Sequence, residues 1–242
     1  YAEVLRTEGL SRTFPWWQET FLRDHWADKD FMLHLLLIPF AFGDLLFRAK
    51  VASVVFASAA MGVFYLAARA LRVPLPSAWA LALLVSSSGF LFRLGFTRAW
   101  VLGMALALAG TCAIFLKRPR WAFIFAALYP SVHTSFHLLP CIALFHDLVR
   151  AKPLLGRRSF RVSAWTLAGV LAGLVVNPFF PNNLHLWWVQ TFRVLGMAWG
   201  GPENLRIGTE LLPRGSAILL RDNLGVFIAM AAAIWLCARA RS

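Results

Sequence analysis

Acidic residues are scarce in this chain: 11 Asp and Glu stand against 24 Lys and Arg, a formal charge of +13 over 242 residues. Charge of either sign is sparse as well, at 14% of residues, whereas 60% are hydrophobic and the mean hydropathy is +0.65. A chain with so little polar surface cannot cover itself as a water-soluble globule of this length, so the composition predicts an integral membrane protein. Cysteine is nearly absent. Cys112, Cys141 and Cys237 fall in apolar segments without CxxC spacing, which argues against a disulfide framework and a thiolate metal site. Period-2 alternation is missing from the apolar runs, which sets aside a membrane β-barrel. No fixed-period repeat or low-complexity linker interrupts the chain, so one membrane domain accounts for it. No basic patch forms either. The Lys and Arg residues are spread through short loops between apolar runs, a topology signal that leaves no reason to expect nucleic acid.

What is present is a series of Ala-, Leu-, Gly- and Phe-rich runs of helical length, and the expected fold is all-α: a polytopic membrane protein of about seven transmembrane segments with outer-face interfacial helices. The chain opens at Tyr1 without Met, basic n-region or signal-type apolar stretch, so an upstream segment is expected. Residues 1–49 read as an outer-face loop: an amphipathic helix stopped by Gly9, Trp16, Trp17 and Trp26 at headgroup level, and a short apolar helix from Phe31 to Phe42. Residues 50–176 hold most of the spans. Val51–Leu71, Ser77–Phe92 and Ala99–Leu116 come first, then Trp121–Val149 as two half-spans meeting at Tyr129–His133, then Val162–Val176. An outer loop over 177–216 precedes a last span over 217–239.

This arrangement puts Arg69, Arg72, Lys117, Arg118, Arg120, Arg150, Lys152, Arg157, Arg158, Arg161, Arg239 and Arg241 on one side with a single acid, Asp147. By the positive-inside rule that side is the cytoplasm. The other ten acids collect outside, which brings the first loop and the 177–216 loop to one face.

Within the first loop, Asp28-Lys29-Asp30 is followed by the apolar stretch His34–Phe40 and by Arg48 and Lys50 at the next span. Further on come Ser88-Gly89-Phe90, a turn ending at Arg98, and Asn177-Pro178-Phe179-Phe180-Pro181-Asn182-Asn183 leading into an amphipathic helix. In this order the motifs resemble the GT-C glycosyltransferases, the membrane superfamily that includes oligosaccharyltransferases, protein mannosyltransferases and the aminoarabinose transferases of lipid A. The resemblance covers most of the chain through loose motifs. It implies transfer of a sugar from a polyprenyl-phosphate donor at the outer face of a membrane, here expected to be a bacterial inner (plasma) membrane. It also implies that a first helix and an acidic motif belong before Tyr1. A non-catalytic subunit with a degenerate form of this fold, packed among membrane-protein partners and lipids, is the alternative. A secondary transporter is disfavoured, because the spans lack paired inverted repeats and deep ionisable residues.

Such transfer needs a base for the acceptor and positive charge, from a divalent metal such as Mg or Mn or from Arg and Lys, for the departing phosphate. Asp28 and Asp30 are the candidate catalytic carboxylates or metal ligands; equally, they cap the helix that follows as hydrated groups contributing about 1 kcal/mol. His34, one turn past Asp30, can orient it or be satisfied by water. Lys50, Arg93 and Arg98 at outer span ends can meet a lipid phosphate or snorkel to ordinary headgroups. Arg206 and Glu210 in the long outer loop are further substrate-contact candidates or plain exposed residues. His133 and His137, at i,i+4 spacing, are weak metal candidates, with hydrogen bonding at a broken helix as the other reading.

Overall fold

The computed structural model describes residues 1–13, 23, 25–150, 160–199 and 215–239, and among them every regular element is helical. In chain order the helices are α1 (Ala2–Thr7), α2 (Phe31–Leu37), α3 (Leu45–Ala70), α4 (Pro76–Val85), α5 (Ser88–Leu94), α6 (Ala99–Phe115), α7 (Pro119–Leu128), α8 (Leu138–Arg150), α9 (Arg161–Val176), α10 (Asn182–Trp188), α11 (Val194–Trp199), α12 (Ser216–Asp222) and α13 (Leu224–Arg239). Among the described residues α3 alone is long and apolar enough to cross a membrane by itself, and α4 with α5 meet that measure only as a pair. Shorter apolar helices follow at Ala99–Phe115, Leu138–Val149 and Arg161–Val176.

The tightest packing joins α7 to α9. Gly169 and Gly173, one turn apart, let the α9 backbone rest on α7: a Cβ at Gly169 would lie 2.4 Å from the Phe123 carbonyl oxygen, and one at Gly173 only 2.0 Å from that of Ala127. Ala122 and Ala126 on α7 are fully buried, completing a small-residue contact of the kind that drives helix association where water does not. Ile114, Leu139, Phe136 and Leu174 extend this core to α6 and α8. A second cluster, built on Ala52, Phe56, Ala60, Leu94 and Val101, joins α3 to α5 and α6.

Helix ends follow local chemistry. Asp44 caps α3, accepting from the backbone N–H groups of Leu46 and Phe47, so this helix starts six residues before the expected Val51 and takes in Arg48 and Lys50. At their other ends α3 and α6 stop alike. Arg72 (φ 58°) and Lys117 (φ 53°) adopt the left-handed conformation, and the next N–H reaches back, from Val73 to Ala68 and from Arg118 to Ala113.

Two expected spans are broken. The stretch read as Ser77–Phe92 bends by 94° between α4 and α5, where Ser86 donates to the Leu83 carbonyl and the Ser87 hydroxyl accepts the Phe90 N–H. Side-chain hydroxyls satisfy the backbone groups that the bend opens. The last span breaks at Asn223, between α12 and α13, and Ser87 donates to Asn223 Oδ1 at 2.8 Å. Residues 119–150 also break: α7 ends in a 3-10 turn over Tyr129–Ser131, and α8 begins only at Leu138.

Candidate functional site

The loops that charge placed on one face meet in the fold. Asn182 donates through Nδ2 to the Trp26 carbonyl at 3.2 Å, and the Phe179 ring packs edge-on against Trp26 and Phe31. Beside this contact, the start of α2, α5, the turn from Phe96 to Arg98, the start of α6 and the break after α7 enclose a cavity of about 1010 Å³. Lys29, Asp30, His34, Ser88, Arg93, Thr97, Arg98, Trp100 and His133 are among its lining residues.

Asp28 stands directly behind this lining at 4% exposure. Its Oδ1 accepts the Asp30 backbone N–H at 3.0 Å, and its Oδ2 lies 2.7 Å from His34 Nδ1. The expectation of a hydrated carboxylate at a helix start is corrected for this residue. Six residues separate the partners in sequence, and the turn into α2 closes that distance. The edge of Tyr1 backs the His34 ring, with centroids 5.3 Å apart. Asp30 itself occupies the N-cap position of α2, yet its side chain makes no capping hydrogen bond. Burial pushes the Asp30 carboxyl above the ordinary carboxylate range; neighbouring Lys29 opposes that shift, Asp28 adds to it, and His34 opposes it.

The cationic wall comes from α5 and the turn after it. Arg93 lies in the last turn of α5, and Arg98 stands at the N-cap of α6 with its guanidinium 5.5 Å from the Phe96 ring centroid. Between them Thr97 is tied down: its hydroxyl donates to the Ala49 carbonyl at 2.9 Å and is hydrogen-bonded to Ser53 on α3. Among the described residues of the lining, Lys29, Arg93 and Arg98 stand against one carboxylate, Asp30, a balance that suits an anion.

His133 is held from the opposite wall. Ser135 donates its backbone N–H to His133 Nδ1 at 3.1 Å, its hydroxyl lies 2.7 Å from the same nitrogen, and the Tyr129 hydroxyl is 3.0 Å from that of Ser135. Gly103 makes room for the ring, since a Cβ there would sit 3.1 Å from the His133 Cβ. Burial holds the His133 pKa below the ordinary histidine value, and Lys29 and His137 push it the same way.

Among the described residues no group of three or more His, Cys, Asp or Glu side chains is arranged to hold a metal ion. Both oxygens of Asp28 already accept hydrogen bonds, and His133 and His137 lie in the non-helical link before α8, where i,i+4 spacing does not put them on one helix face. His137 accepts instead from Trp187 Nε1 at 3.4 Å. Of the other candidates, Lys50 is exposed on α3 and does not line the cavity, and Arg206 and Glu210 lie outside the described residues. Reasoning from the sequence did not single out Lys29, although it lies between the two aspartates. Nor did it join His133 to this site, because only the fold connects the break after α7 to the first loop. No protein-family model matches the chain, and no curated protein or solved structure matches it significantly.

Proposed function

We propose that this chain is a GT-C-type glycosyltransferase domain that moves a sugar from a polyprenyl-phosphate donor to an acceptor at the outer face of a membrane. One observation carries this reading: Lys29, Arg93 and Arg98 share a single large cavity with Asp30 and His34, with Asp28 behind them. Cations that bind a lipid phosphate, beside groups that accept a proton, are what such a transfer requires. The membrane setting is supported by the apolar exterior, where Leu66, Leu81, Phe145 and Val175 are all at least 59% exposed. In this reading the helices beyond α3 make up about seven crossings, several of them short, bent or broken, in a bacterial inner membrane. Irregular backbone at membrane depth is tolerated where protein or a water-filled cavity surrounds it.

The test is sugar transfer from labelled polyprenyl phosphates in membranes that contain the protein. Arg98→Ala and Arg93→Ala are expected to raise KM for the donor about tenfold each, through loss of one charged phosphate contact. Topology is checked separately with single cysteines in a cysteine-free background. A membrane-impermeant thiol reagent applied from outside should label positions 131 and 182 and not 159, and labelling at 159 alone would invert the arrangement. The burial of Asp28 favours the second reading, a non-catalytic membrane subunit, because a buried, fully bonded carboxylate can be purely structural. Donor binding without transfer would select it.

A further inference from the structure

Two histidines line the cavity, and their hydrogen bonds fix opposite tautomers. An ionised carboxylate can only accept, so His34 Nδ1 must donate to Asp28 Oδ2, and the lone pair of the neutral ring is left on Nε2. At His133 the sense is reversed. A backbone N–H can only donate, so His133 Nδ1 accepts from Ser135 and the ring proton sits on Nε2. The Tyr129 hydroxyl, donating to Ser135 Oγ, leaves the Ser135 proton to point at the same nitrogen.

We propose that His34 is the proton acceptor of this cavity, with Asp28 as its positioning residue, and that His133 presents a fixed hydrogen-bond donor to the same bound anion. The assignment rests on the transferase reading for the identity of the proton and the anion. It reverses the roles that spacing implied for Asp28 and His34. Asp28 is buried and both its oxygens are occupied, so it is badly placed to meet an acceptor, whereas the His34 ring is part of the cavity wall. A buried carboxylate that holds an imidazole in one tautomer and stabilises its protonated form is an established way of preparing a base. In the transfer step the acceptor hydroxyl oxygen bonds to the anomeric carbon while its proton passes to His34 Nε2. The bond from that carbon to the phosphate oxygen breaks, its electron pair leaves with the polyprenyl phosphate, and Lys29, Arg93, Arg98 and the His133 donor meet the added charge. His34 then returns its proton to water.

Two measurements on the protein in lipid nanodiscs test this. Nitrogen-15 NMR of histidine-labelled protein, assigned through His34→Gln and His133→Gln, should show His34 unprotonated at Nε2 and His133 unprotonated at Nδ1. The same tautomer at both rings would overturn the proposal. In the transfer assay, His34→Gln and His34→Ala should lower kcat on the order of a hundredfold or more with donor KM unchanged, and added imidazole should restore part of the His34→Ala loss. Asp28→Asn should lower kcat in the same way and be insensitive to imidazole, with folding followed by thermal stability. Unchanged kcat in His34→Gln beside a hundredfold loss in Asp30→Asn would give the base role to Asp30. Wild-type protein with the stated tautomers but no transfer from any labelled donor would remove the transferase reading, and the base role with it.

Discussion

The α7–α9 seam and the cavity are built on opposite principles. At the seam the backbones touch, Gly169 and Gly173 leave no room for a methyl group, and the one fully buried polar side chain of α9, Thr166, turns its hydroxyl back to the Val162 carbonyl of its own helix. At the cavity the walls stand apart and are held by side-chain hydrogen bonds: Asp28 to His34, Thr97 to α3, Ser135 to His133. A seam of small residues is rigid because any added volume must move backbone. A polar frame instead fixes individual side chains while leaving the space between them open. The difference separates the part of the molecule that holds the helices together from the part that can exchange a ligand.

The largest effect is therefore expected at the seam. Gly173→Ala places a methyl group 2.0 Å from a carbonyl oxygen that cannot rotate away, and Gly169→Ala one at 2.4 Å. Each should destabilise by about 3 kcal/mol, the upper end for overpacking, as measured by SDS titration in mixed micelles. Neither should shift donor KM in the fraction that remains folded. An equal loss of donor binding would mean that the two regions are not separable. Asp28→Ala comes next, at about 2 kcal/mol, because it leaves the Asp30 N–H and the His34 Nδ1–H, both part-buried, without their acceptor. Ser87→Ala should cost about 1 kcal/mol, losing a helix cap and the bond to Asn223 that ties the α4–α5 bend to the α12–α13 break. Asn223→Ala tested alongside and in combination should show coupling, and simple additivity would mean the tie contributes nothing.

The seam and the cavity were legible in the sequence to different degrees. Helical class followed from composition. The meeting of the first loop with Phe179 and Asn182 followed from counting Lys and Arg on alternate loops, a long-range field effect that needs no detailed geometry. Spacing alone suggested that His34 shares a face with Asp30, but the closer partner is Asp28. That contact depends on the backbone at Asp30 (φ −111°, ψ 24°), which turns the chain into α2. Helix bounds failed where polar side chains override apolar periodicity: Asp44 starts α3 early, and Ser86 and Ser87, in the Ser86-Ser87-Ser88-Gly89 interruption of a stretch otherwise apolar from Ala78 to Phe92, stabilise a right-angle bend. Gly169 and Gly173 stand one turn apart in the sequence and drew no reading there, because nothing in the chain says that α7 is the surface they pack against.

The smallest effect should have the opposite sign. Burial raises the Asp30 carboxyl pKa in the folded protein above its ordinary value of 3.8, so the native state holds this proton more firmly than the unfolded chain does. Below about pH 3.8 both states are protonated and Asp30 has no cost. As pH rises past that point the unfolded chain ionises first, and stability falls until the folded group ionises as well; the loss is then constant up to neutrality. Asn cannot ionise, so Asp30→Asn should raise the Tm near pH 7, and the gain should vanish as pH falls through the ordinary carboxylate range. Lys29 lowers the Asp30 pKa, so in a Lys29→Ala background the same substitution should gain more. This sharpens the contrast with the seam, where substitutions are expected only to destabilise. A chemical site can keep a charge that the fold would be more stable without. A fall in Tm for Asp30→Asn near pH 7 would instead show that the carboxylate is held by partners as firmly as Asp28 is, and would count it as part of the frame rather than the open wall.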